Sequence, residues 1–208
     1  EYKAIIAEQK AEYHALQSQI EPHFLYNTLN SLIGMNRMHD HDLLEKAILS
    51  LTGMLRYVTE QADSTTIQAE LLMIEQYCCL QKFRFQNRFD YKIEMQKDVI
   101  GKIIPKLLIQ PLVENAIIHG IEPSDKPCRL LVKVTEQIVE SQKRLIIIVE
   151  DNGIGFDTGC IRDSTHVGLC NVLNRLKYFC PDALANVKSQ PGVGTTITMV
   201  IPMEGKDD

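Results

Sequence analysis

Pro22 stands inside a long amphipathic helical pattern and is followed at once by His23, and no other feature constrains the fold as tightly. Upstream, apolar residues fall at Ile6, Tyr13, Leu16 and Ile20; downstream they fall at Phe24, Leu25, Leu29 and Leu32, both sets at helical spacing. A proline in a helix interior removes one backbone hydrogen bond and crowds the turn before it, at a cost of roughly 3 kcal/mol. The pattern therefore predicts a helix over 2–37 that is bent or interrupted beside His23. Asn27 follows four residues on, so its amide shares a helix face with the imidazole. A lone histidine in such a place is more often a packed side chain than a reactive one, and its meaning depends on the rest of the chain.

His39-Asp40-His41 reads as a turn. Asp42-Leu43-Leu44-Glu45 supplies an acid with a glutamate three residues later, which marks a helix start at Asp42. The stripe Leu44, Ala47, Ile48, Leu51, Leu55, Val58 carries that second helix to about residue 60. Two helices joined by a short turn make an antiparallel hairpin. One hairpin buries two apolar stripes poorly, so a homodimer forming a four-helix bundle is expected. Gln61-Ala62-Asp63-Ser64 is the expected boundary, dividing the chain into 1–62 and 63–208.

Beyond it, 67–86 reads as a third helix with Leu72, Met73, Leu80 and Phe83 on one side. Residues 89–95 alternate like a strand, and 105–119 form a helix with proline near its start. Strands are expected over 130–136 and 144–150, the second with the continuous apolar run of a buried strand. A helix over 168–179 and closing strands over 185–189 and 195–201 complete the pattern, with Pro191-Gly192-Val193-Gly194 turning between the last two. The fold class is α+β: a helical hairpin followed by an α/β sandwich, a mixed sheet with helices on one face.

The 208 residues carry a formal net charge of −5 with no Lys/Arg-rich run, which argues against a nucleic-acid partner. No apolar run approaches the roughly 18 residues of a membrane span, and no signal peptide is visible. The pattern opens already helical at Glu1, so an upstream part is expected to be missing. Six cysteines, Cys78, Cys79, Cys128, Cys160, Cys170 and Cys180, lack the spacing of a zinc site and read as reduced thiols of a cytosolic protein.

Three clusters in the second half carry chemistry. In Gln110-Pro111-Leu112-Val113-Glu114-Asn115-Ala116-Ile117-Ile118-His119-Gly120, two polar side chains sit among apolar ones, and oxygen ligands for a hard cation are one reason to keep them. In Glu150-Asp151-Asn152-Gly153-Ile154-Gly155-Phe156, an acid at a strand end can accept from an exocyclic amine. Its glycines admit a flat ring or a phosphate. It is not the dinucleotide fingerprint, which needs a third glycine and an acid about 20 residues on. The third cluster is Val167-Gly168-Leu169 opening a helix, which suits a phosphate, with Gly192-Val193-Gly194-Thr195-Thr196 before the last strand.

Together these residues identify a resemblance. Pro22-His23-Phe24-Leu25-Tyr26-Asn27 resembles the phosphoacceptor box of LytS/YehU-type sensor histidine kinases. Leu112 to Gly120 is similar to that family's N box, Asp151 to Gly155 to its G1 box, Gly168-Leu169 to its second glycine box, and Gly192 to Thr196 to its last one. Five boxes in order span essentially the whole chain. The resemblance implies a dimerising hairpin followed by a Bergerat-type ATP-binding domain, the cytoplasmic core of an inner-membrane sensor. It implies ATP and Mg²⁺ as cofactors, with Asn115 ligating the metal and Asp151 recognising the adenine amine. His119, Gly120, Leu169, Gly194 and Thr195 would complete the nucleotide site, and Gly153, Gly155 and Gly168 would shape its lid. Thr196 would help hold Asp151 and an adenine-bound water. His23 would be the phosphoacceptor, Asn27 its orienting partner, and the receiver domain of a response regulator the onward acceptor.

The chain departs from that pattern in places. Ile118 stands where the family usually has a lysine, and His166 occupies the first glycine position of the second glycine box. Phe24 follows His23 where an acid would name the general base, and Glu21 falls nearly on the opposite helix face. Two other classes share the expected fold: a nucleotide-gated clamp or non-transferring ATPase, and a dimeric scaffold with a dead nucleotide site. A clamp has no use for the His23 box, and nucleotide binding separates the scaffold from both.

Overall fold

The structure is a computed structural model that describes residues 22–139, 142–157, 172 and 176–203, with the side chains of Pro22, His23 and Val139 outside the described set. Helix α1 (Pro22–Arg37) ends where the periodicity predicts. The upstream half of the expected helix, and hence the bend itself, lies outside the described residues. Helix α2 (His41–Thr59) starts earlier than the 42–45 signature suggests: Asp40 is the cap, its side chain accepting from the Leu43 amide at 3.1 Å. His39 takes φ +56° to turn the chain, which frees Asp40 to do this.

Strand β1 (Ser64–Thr66) leads through a Thr66 cap into helix α3 (Ile67–Phe85). Strand β2 (Phe89–Met95) follows, then the short β3 (Ile103–Pro105), antiparallel to β1 with Ser64 opposite Pro105. The β1–β3 ladder was not legible in the sequence, because three-residue strands carry too little alternation. Helix α4 (Gln110–Asn115) continues as a π-helical turn, Ala116–Ile121, in which the Glu122 amide donates five residues back to Ile117. The expected 105–119 helix therefore starts five residues late. Pro105 belongs to β3, and Leu107 holds φ +58°, which no helix admits.

Strands β4 (Cys128–Val139), β5 (Gln142–Asp151), β6 (Leu184–Gln190) and β7 (Gly194–Pro202) complete a five-stranded sheet in the order β2-β4-β5-β7-β6. Only β2 and β4 run parallel. Residues 172 and 176–179 are helical, inside the expected 168–179. The hydrophobic core lies on one face of the sheet, where Leu130, Val132, Val134, Leu145, Ile147, Val149, Ile197 and Met199 meet α3, α4 and the π turn. β5 is not buried on both faces as its apolar run suggests. Ile146 and Ile148 point to the other side and are half-exposed.

Helix α3 has a fold role the sequence hid. The hairpin packs on it, with the Phe24 and Tyr77 rings 5.0 Å apart and Ala47, Met54 and Val58 in the same core. Buried residues consequently surround most of α3, and Leu72, placed inward by the stripe, is 56% exposed. One apolar face of the hairpin is thus covered within the chain, while Tyr26, Leu29 and Ile33 stay 67%, 51% and 51% exposed on α1. Cys78, Cys79 and Cys128 are free and buried, and burial pushes the Cys78 thiol well above its ordinary range. No described helix is long and apolar enough to cross a membrane.

Candidate functional site

The sheet and the α4–π segment enclose a cavity of about 190 Å³. Its apolar walls are Leu112, Ala116, Val149, Ile154, Phe156 and Ile197, and its polar groups come from Asn115, His119, Asp151 and Thr195. The sheet register explains the grouping. Asp151 sits opposite Thr195 and Val149 opposite Ile197, so alternation turns all four to the same face.

Asp151 is the electrostatic centre of the site. It is 5% exposed, and its Oδ1 accepts from the Gly153 amide at 2.8 Å. Burial raises its pKa to about 6, against the lowering effect of amides at Gly153 and Thr195. Among the described residues no cation pairs with it. A buried carboxylate in an apolar cradle, without a basic partner, suits a neutral donor such as an exocyclic amine.

The glycines interlock around this acid. A methyl at Gly120 would lie 2.7 Å from Asp151 Oδ1, and one at Gly153 would overlap the Gly120 carbonyl. Gly120 also accepts from the Ile154 amide at 2.9 Å, locking the N-box segment to the loop after β5. Gly155 takes φ +58° hard against the Gln190 carbonyl. Gly153 and Gly155, whose missing side chains admit a flat ring or a phosphate, also leave room for the protein's own backbone.

Asn115 ends α4 half-buried and lines the cavity, whereas Glu114 accepts from Gln110 Nε2 at 2.6 Å and is not among the lining residues. His119 lines the cavity but is exposed, and Ile118, at the position of the family lysine, is half-buried outside the lining. Contrary to what the sequence motif suggests, Thr196 does not stand beside Asp151. It pairs with Glu150 on the far face of β7, and Thr195 is the residue beside Asp151. The sequence reading missed Ser189, whose hydroxyl accepts from the Phe156 amide at 2.8 Å, donates to the Gly194 carbonyl at 3.1 Å and lies 2.9 Å from Thr195 Oγ1. A serine in an ordinary alternating strand gives no signal of this.

Gly168, Leu169 and His166 lie outside the described residues. His23 falls in the first described turn of α1, and Asn27, one turn further, is half-buried.

The fold is that of histidine kinase catalytic cores. The histidine kinase domain of the Erythrobacter litoralis EL346 blue-light activated kinase superposes with TM-score 0.50 at 15% identity, covering 94% of this chain and 95% of that one. The catalytic domain of histidine kinase ThkA gives 0.51 at 12% identity, covering 68% and 98%. Residues 11–89 match the family described as Histidine kinase. Sensor histidine kinase YesM of Bacillus subtilis is 36% identical over 199 residues, 93% of this chain and 34% of that protein. Sensor histidine kinase YpdA of Escherichia coli is 37% identical over 202 residues, with the same shares. YwpD of Bacillus subtilis, a putative uncharacterized protein, is 36% identical and is 70% covered. The helices and the mixed sheet are thus consistent with a GHKL fold. The chain belongs to the sensor histidine kinase family of LytS type, and it spans about a third of the length of YesM and YpdA.

Proposed function

We propose that this chain is the autophosphorylating core of a two-component sensor, using Mg²⁺-ATP to phosphorylate His23. The observation that carries the reading is the meeting of Asn115, Asp151 and Thr195, from three separate sequence boxes, in one cavity. Asp151 accepts from the adenine amine between the walls of Leu112, Ala116, Val149 and Ile197. Asn115 holds Mg²⁺, which when bound neutralises charge on the phosphates. A neutral imidazole, with an ordinary pKa near 6.5, is already a competent nucleophile at pH 7, so catalysis is mostly positioning. A nitrogen of His23 forms a bond to the γ-phosphorus as the bond to the β–γ bridging oxygen breaks, and ADP leaves. The phosphoryl group then passes to an aspartate of a response regulator.

In this reading residues 1–62 form the phosphoacceptor hairpin and 63–208 the ATP-binding domain. The exposed row Tyr26, Leu29, Ile33 pairs with a second copy to make a four-helix bundle. Incubation with γ-labelled ATP tests the proposal: the label should be acid-labile and alkali-stable, and His23→Gln should abolish it while nucleotide binding persists. A label that stays in His23→Gln, or moves to His119 or His166, refutes the assignment in favour of a clamp-type ATPase.

A further inference from the structure

Glu70 is fully buried in the first turn of α3, does not line the cavity, and accepts from four donors. Its Oε2 accepts from the Leu107 amide at 2.9 Å, and its Oε1 from Ile109 at 3.0 Å and Gln110 at 3.4 Å. These amides open α4, the helix that ends in Asn115, and Ile109 gives that helix no side-chain cap of its own. A carboxylate from another element therefore does the capping. It also ties down Leu107, a bulky residue at φ +58°, a conformation that persists only where its surroundings hold it.

The fourth donor to Glu70 is the Tyr57 hydroxyl, from the last turns of hairpin helix α2. Burial and the Glu70 charge both push the Tyr57 pKa up, so the hydroxyl keeps the proton it donates. Lys106, also buried, joins the same elements. Its ammonium donates to the Glu60 carbonyl at the end of α2 and lies 4.7 Å from the centre of the Tyr57 ring, and its amide donates to Asp63. The end of the hairpin and the start of the Asn115 helix thus share one buried carboxylate.

We propose that Glu70 is a positioning residue for the metal end of the site: it fixes Asn115 through the cap of α4, and through Tyr57 it makes that cap depend on where the hairpin lies. The proposal rests on the assignment of Asn115 to Mg²⁺. Tyr57 does not line the cavity, so a structural role alone predicts no selective effect on the metal. Asp151 and Thr195 sit on β5 and β7, away from this junction, and report separately on adenine.

The test is calorimetry of a non-hydrolysable ATP analogue, with saturating Mg²⁺ and with EDTA, on the whole chain. Tyr57→Phe should cut the Mg²⁺-dependent gain in affinity at least about fivefold, while affinity in EDTA stays within about twofold. Glu70→Gln should cut it further. If Glu70→Gln does not fold, Tyr57→Phe decides alone. An unchanged gain in Tyr57→Phe, or equal weakening with and without Mg²⁺, overturns the proposal. A wild-type chain with no Mg²⁺ gain refutes the metal assignment instead. Hydrogen exchange then decides the tie in the nucleotide-free protein: faster exchange at the Ile109 and Gln110 amides in Tyr57→Phe supports it, and unchanged protection overturns it.

Discussion

Thr195 lies directly across the β5–β7 ladder from Asp151, so the buried acid of the cavity shares its face of the sheet with a hydroxyl from the last glycine box. The amides of Gly153 and Thr195 offset part of the burial that raises the Asp151 pKa.

Asp151→Asn should separate stability from function. The folded-state pKa of about 6 lies above the ordinary value of 3.8, so the folded protein holds this proton more tightly than the unfolded chain. Stability from this group is therefore greatest in acid and falls as pH rises from about 4 to 6. Above pH 6 the buried charge costs up to about 3 kcal/mol. The nucleotide-free Asn variant should gain stability over wild type at pH 8, with the difference closing near pH 4, as urea unfolding can measure. The same variant should bind ATP more weakly by about 1–3 kcal/mol, because the adenine amine loses a charged acceptor. Equal ATP affinity in calorimetry would sink the adenine role.

Asn115→Ala should lower Mg²⁺-dependent nucleotide affinity by roughly 10- to 100-fold, the range usual for disturbed metal sites, and leave the circular dichroism spectrum intact. Retention of the full metal dependence would hand the ligation to Glu114 or to water.

Gly153→Ala tests the interlock. The added methyl has to displace the Gly120 backbone, which also carries the bond from Ile154, so the variant should lose nucleotide binding and melt lower by several degrees. A variant with native binding and melting temperature would mean the two loops can part freely.

Dimerisation is tested by Leu29→Glu with Ile33→Glu. Both side chains are exposed on α1 and neither touches the cavity, so the double variant should sediment as a monomer that still binds nucleotide. Persistence of the wild-type dimer would exclude this face from the bundle.

The sequence exposed some layers of this design and hid others. Strand β2 was legible at its exact bounds, and the end of α1 to the residue, because strict alternation and a sustained helical stripe are local properties. Asn115, Asp151 and Thr195 were recognisable because each sits in a motif whose composition departs from its surroundings. Glu70 was invisible: a glutamate in the first turn of a helix is the ordinary surface choice, and nothing local says that three amides some forty residues away converge on it. Leu72 and Thr196 failed for a related reason. Which side of α3 faces solvent depends on the hairpin, and which threonine faces Asp151 depends on register.

The π turn at Ala116–Ile121 has a bearing on how this segment can change length. A helix that bonds five residues back accommodates one residue more than an α-helical path between the same endpoints. Deleting a single residue there would let the segment relax into an unbroken α-helix between the same endpoints, but without the wide turn that holds Gly120. Gly120 lies inside that turn, so its packing against Gly153 and the carbonyl that receives the Ile154 amide would be lost with it. A shortening that improves the helix would thereby dismantle the seam beneath Asp151, so this stretch should resist loss of length even where it accepts changes of side chain.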